Sequence, residues 1–86
     1  MKRVVVRIHH STHPPFKLIL FPNTKVSDVL SSLNLPEEDY VLQPMSDPQK
    51  HFTSEEVLYD LIATDDKLIA KLSPEAAARY ATLFMQ

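Results

Sequence analysis

His9, His10 and His13 are the side chains best suited to ligate a metal or move a proton near neutral pH, and they crowd around one predicted turn. Two imidazoles without a nearby acid or cysteine make a poor metal set. If the first strand runs on through them, His9 and His10 also point to opposite faces. Glu37-Glu38-Asp39 and Asp65-Asp66 resemble paired carboxylates, but both fall in predicted turns open to water. Serines are present, yet no spacing sets a nucleophile beside a base. With no cysteine, thiolate catalysis, disulfides and cysteine-type zinc or iron-sulfur sites are excluded. With no glycine, phosphate-cradling glycine loops are excluded as well. The expectation is a chain with no catalytic residues, no cofactor and no metal. Its chemistry would then be that of a binding surface.

Eighty-six residues at 9.8 kDa make one small domain. The longest apolar runs, Val4-Val5-Val6 and Leu18-Ile19-Leu20-Phe21, fall far short of the roughly 20 residues that cross a bilayer. Lys2 and Arg3 lead into a valine run that Arg7 cuts short, so no signal peptide is expected and the cytoplasm is the expected compartment. Charge is unevenly spread. Residues 1–35 carry Lys2, Arg3, Arg7, Lys17 and Lys25 against Asp28 alone, whereas residues 36–86 carry four cations against ten acids. A pI near 6.0 argues against nucleic acid, but the asymmetry suits a basic face for an acidic partner.

The elements that must position such a face can be read from pattern. Val4 to His9 is β-branched and reads as a strand, and Ser11 to Pro15 as a five-residue loop. Phe16 to Phe21 reads as a second strand, antiparallel to the first. Thr24 stands at a helix N-cap position, and Val26, Val29, Leu30 and Leu33 share one helical side until Leu35-Pro36 ends it. Tyr40 to Gln43 reads as a third strand, and His51-Phe52 as a brief edge strand after two prolines. Thr53 and Glu56 have capping-box spacing, which predicts one or two helical turns over Ser54 to Leu61. Lys67 to Leu72 alternates as a half-buried strand. Ser73-Pro74-Glu75 then starts a helix predicted to run to about Met85.

This order predicts an α+β β-grasp: a mixed sheet of four to five strands around one helix over residues 1–72, with an added C-terminal helix over 73–86. The last strand should lie parallel to the first. Over about residues 3–72 the chain resembles the ubiquitin-like superfamily. The resemblance is carried by the hairpin Arg3 to Phe21, the helix start Pro22-Asn23-Thr24-Lys25-Val26, the stop Leu35-Pro36-Glu37-Glu38-Asp39, and the run Val57 to Ile62. Val57, Ile62 and Leu68 match the spacing by which that family anchors its second helix and last strand. Asp39 to Gln43 is also similar to the third strand of Ras-association and Ras-binding domains. Modifiers and sulfur carriers of this superfamily end in Gly-Gly, whereas Ala81 to Gln86 reads as helix, so conjugation at the tail is not expected.

Alternation assigns Val4, Val6, Ile8, Phe16, Leu18, Leu20, Leu42, Leu68 and Ala70 to the inner face. Arg3, Val5, Arg7, Lys17, Ile19, Phe21, Val41, Ile69 and Lys71 then lie outside. Two readings of that outer face stay open: the last helix folds back over it with Tyr80, Leu83 and Phe84, or part of it binds a protein. The resemblance to Ras-binding domains implies edgewise addition to the second strand and contact of Arg3, Arg7, Lys17 and Lys25 with an acidic surface such as that of a small GTPase. The expected function is a non-catalytic protein-interaction module using the outer face, the second-strand edge or the C-terminal helix, with no nucleic acid or membrane. Alternatives are a truncated or processed modifier or sulfur carrier, and a homodimer that self-associates through Tyr80 and Phe84.

Overall fold

The computed structural model describes the backbone of residues 1–84 and the side chains of residues 1–83; Met85, where the last helix is predicted to end, lies outside them, as does the Phe84 side chain. The strands are β1 (Lys2–Ile8), β2 (Phe16–Leu20), β3 (Tyr40–Pro44) and β4 (Asp66–Leu72), and the helices are α1 (Val26–Ser32) and α2 (Pro74–Phe84). They form one mixed sheet in the order β2-β1-β4-β3. β1 pairs antiparallel with β2 and parallel with β4, and β3 pairs antiparallel with β4. The predicted brief edge strand is a single bridge from Phe52 to Leu42.

Along β1, β2 and β4 burial alternates as predicted, whereas in β3 Val41, Leu42 and Gln43 are all buried. Val4, Val6, Leu20, Leu42, Leu68 and Ala70 are buried in one cluster with Val26, Val29 and Leu30 of α1, and Phe16 and Leu18 pack against its margin. Each fully buried leucine or valine there contributes roughly 1.5–3 kcal/mol of apolar transfer. Lys2 points inward at the end of β1 without being wasted: its ammonium donates to the Tyr59 and Ile62 carbonyls (2.6 and 2.9 Å) and lies 4.3 Å from the Tyr59 ring centre.

Two local expectations are corrected. Thr24 does not cap α1. Its hydroxyl accepts the Phe21 N–H (3.0 Å), the cap position is Lys25, and the Asp28 carboxylate accepts the Lys25 N–H (2.9 Å). The first helical amides instead donate across the chain, Val26 to the Glu56 carbonyl and Ser27 to that of Ser54. The helix expected over Ser54 to Leu61 is correspondingly absent. Glu56 does accept from Thr53 N–H and Oγ1, but Val57 is drawn into a bridge with Lys25, leaving only a 3-10 turn at Leu58–Asp60. Backbone that serves as a cap for α1 cannot also close its own helical bonds.

Among the described residues of this glycine-free chain, three have a left-handed backbone: His10 (φ 64°), Asn34 (φ 60°) and Asp65 (φ 67°). Asn34 closes α1 in a Schellman arrangement, with Leu35 N–H donating to the Leu30 carbonyl (2.9 Å) and Asn34 N–H to that of Ser31 (3.0 Å). Leu35 thereby folds back against the core. The helix stops here, before Pro36.

Candidate functional site: the outer face of the sheet

The registers lay out the outer face row by row. Ile19 stands opposite Arg3; Lys17, Val5 and Lys67 form the next row; Arg7, Ile69 and Gln43 the next; Lys71 and Val41 the last. Met45 extends the second row, because its N–H donates to the Lys67 carbonyl (3.0 Å). Ile19 and Phe21 are 50% and 58% exposed, and Val5, Ile69 and Lys71 are half-buried. Val41 is the exception. It lies on the predicted face but is only 7% exposed, so it is not available as a contact residue.

Helix α2 begins beside this end of β3. Ser73 starts it, with its hydroxyl accepting the Ala76 N–H (3.1 Å) and its own N–H donating to the Asp39 carbonyl (2.8 Å). Asp39, two residues before Val41 and on the same side of β3 by alternation, then holds the helix with both carboxylate oxygens: Arg79 donates to Oδ1 (2.6 Å) and the Tyr80 hydroxyl to Oδ2 (3.0 Å). The carboxylate beside Tyr80 raises its phenol pKa above the ordinary 10.0, first through the hydrogen bond and then through its charge. Val41 and Ala76 are buried at this corner, apart from the main core. From Ala77 to Leu83 every residue of α2 is exposed. The helix therefore sits at the β3 corner and leaves β1 and β2 open. Of the two candidate residues on it, Tyr80 is engaged by Asp39, and the side chain of Phe84 lies outside the described residues.

The candidate cations divide in the same way. Arg3 pairs with Asp65 at 3.1 Å, and Lys25 stands at the start of α1, away from the sheet rows. Arg7 and Lys17 are exposed and, like Lys67, have no carboxylate within 4 Å among the described residues. Arg7, Lys17 and Lys67 surround a depression of about 480 Å3 lined also by Val5, Pro14, Pro15 and Met45. Lys67 and Met45 are absent from the residues singled out by sequence. The alternation of β4 places Lys67 outside with Ile69 and Lys71, but Met45 lies beyond Pro44, where no strand is expected. Gln43, also on this face, is 7% exposed, and its Oε1 is buried with no hydrogen-bond partner.

The histidines are arranged differently from the sequence expectation. β1 ends at Ile8, and the positive φ of His10 turns the chain so that the His9 and His10 rings meet, 3.8 Å between centres, rather than pointing to opposite faces. His9 is held below its ordinary pKa of 6.5 by desolvation, then by His10 and Lys71. His13 stacks on Phe16 at 4.5 Å. Among the described residues no group of three or more His, Asp or Glu side chains is placed to hold a metal ion, and no helix is long and apolar enough to cross a membrane.

No protein-family model matches the chain, and no curated protein matches its sequence. Solved structures do. A Caldiarchaeum subterraneum ubiquitin matches with a TM-score of 0.62 at 19% identity, over 84% of this chain and 92% of that one. ATBAG1, crystallised in complex with HSP70, matches with a TM-score of 0.60 at 11% identity, over 99% of this chain but 48% of that one, so this chain spans about half its length. At such identities the likeness is one of architecture. The sheet order, the parallel pairing of β1 with β4 and these two neighbours together show that the chain has the ubiquitin-like β-grasp fold.

Proposed function

We propose that this chain is a non-catalytic, ubiquitin-like interaction module that receives a partner protein on the open half of its outer sheet face, in the cytoplasm. The observation that carries the reading is the pair Ile19, in β2, and Phe21, one residue past its end, large apolar side chains about half exposed at the edge of the sheet away from α2. Exposed apolar groups concentrated on one side of a small domain favour contact with another surface. The ATBAG1 neighbour, whose structure is a complex with HSP70, lends support to protein binding by chains of this architecture. A purified-protein capture followed by direct titration tests the proposal: Ile19→Glu should weaken a captured partner at least about tenfold while the thermal midpoint stays within a few degrees. Partner binding untouched by Ile19→Glu and Phe21→Glu together would remove the outer face from consideration.

A strand-addition mode is favoured by one further feature. β2 is an end strand of the sheet with no bridge on its outer side among the described residues, whereas β3 at the other end is bridged by Phe52. A partner strand, including the edge of a small GTPase sheet, would pair there through its backbone. Proline at a β2 position whose amide points outward separates this mode from face binding, because proline removes a backbone donor.

A further inference from the structure

The depression around Val5 brings unpaired like charges and apolar surface together. Resting on the interaction-module reading, we propose that it receives an acidic segment of the partner protein that seats one apolar side chain between Lys17 and Lys67. The floor is Val5, with prolines 14 and 15 on the hairpin side and Met45 on the other. Neither proline presents an N–H, so that wall offers ring carbon, and Met45, 46% exposed, can adapt its thioether to the side chain it meets. At about 480 Å3 the space suits one anchor residue and its neighbours more than a folded surface.

The rim sets the sign of the partner. Lys17 and Lys67 flank Val5 in the same row, so their Cα atoms are about 10 Å apart across two strand spacings. Arg7 stands in the adjacent row. All three are free of ion pairs among the described residues, while the two acids that precede Lys67 are engaged elsewhere: Asp65 holds Arg3, and the Asp66 carboxylate accepts the Ala63 N–H (2.9 Å). Cations this close repel one another within a Debye length, and carboxylates laid between them relieve that repulsion. Their main effect is on selection and encounter rate, with affinity coming from the buried anchor. Nucleic acid fits less well, because the depression contains no aromatic platform on which a base could stack and the whole chain carries a net charge of −2.

The test uses isotopically labelled full chain and a short peptide with one leucine between pairs of glutamates. Amide shifts should move and saturate at Val5, Arg7, Lys17, Lys67 and Met45. Glutamine in place of the glutamates, or alanine in place of the leucine, should each weaken binding about tenfold, as should Lys17→Glu with Lys67→Glu. Affinity should also fall as salt is raised. The inference is overturned if those amides do not move, if the glutamine peptide binds equally well, if a single-stranded oligonucleotide binds better, or if the same amides move on concentrating the protein alone, which would make a second copy the occupant. Should the charge reversals leave partner capture intact while Ile19→Glu abolishes it, the interaction module stands and the acidic-anchor inference falls.

Discussion

The inner and outer faces of this sheet come from the same strands, one residue apart, yet they obey different rules. On the inner face Val4, Val6, Leu68 and Ala70 meet α1 and are at most 1% exposed. On the outer face Arg3, Val5, Arg7, Lys67 and Ile69 interleave charge with branched carbon, and burial is confined to Val41 and Gln43 of β3. The inside is closed by a continuous partner surface, whereas on the outside the carboxylate of Asp39 ties Arg79 and Tyr80 of α2 down at a single corner. Alternation tells which residues share a face. It does not tell how far a neighbouring element reaches across that face.

The comparison can be broken most forcefully from the inside. Leu68→Ala should cost about 2–5 kcal/mol in denaturant unfolding, since Leu68 is fully buried, whereas Ile19→Glu on the outer face should change stability by no more than about 0.5 kcal/mol. Equal costs at both sites would mean that the outer face is packed in solution. Lys2→Ala tests the junction between the two environments. It removes two carbonyl contacts and a cation over Tyr59, and urea titration should show a loss of about 1–3 kcal/mol, well above that of Lys17→Ala.

A smaller effect concerns backbone shape. Asn34→Val should destabilise by about 1–2 kcal/mol and Asn34→Gly should be neutral or stabilising, because only the left-handed φ at this position closes α1; calorimetry distinguishes the pair. The smallest change is expected at the α2 corner. Tyr80 has its folded pKa raised, so the contribution of its hydrogen bond is fully present below its ordinary value of 10.0 and is lost as pH rises through the higher folded value. Hydrogen exchange of α2 should accelerate over that alkaline range, with the strands unaffected. In Tyr80→Phe that step should vanish.

The strands, the parity of their side chains and the start of α2 were legible in the sequence because each rests on a local rule: period-two alternation for Val4 to Ile8 and Lys67 to Leu72, and a hydroxyl, proline and acid in succession at Ser73-Pro74-Glu75. Most of the outer-face rows followed from the same alternation, including Val5, Arg7, Lys17 and Ile19. Lys67 was within reach of that rule, while Met45 was not, because it joins the row through a bond made beyond a proline.

Residue order by itself determined the inward and outward sets and the antiparallel hairpin, since neighbouring side chains on a pleated strand have no choice but to diverge. Only tertiary structure decided that Ser54 and Glu56 would satisfy α1 instead of forming a helix of their own, that His9 and His10 would meet, and that α2 would close one corner and leave β1 and β2 exposed. Those outcomes depend on hydrogen-bonding groups from distant parts of the chain competing for the same partners, and such a competition has no signature in any local window of sequence.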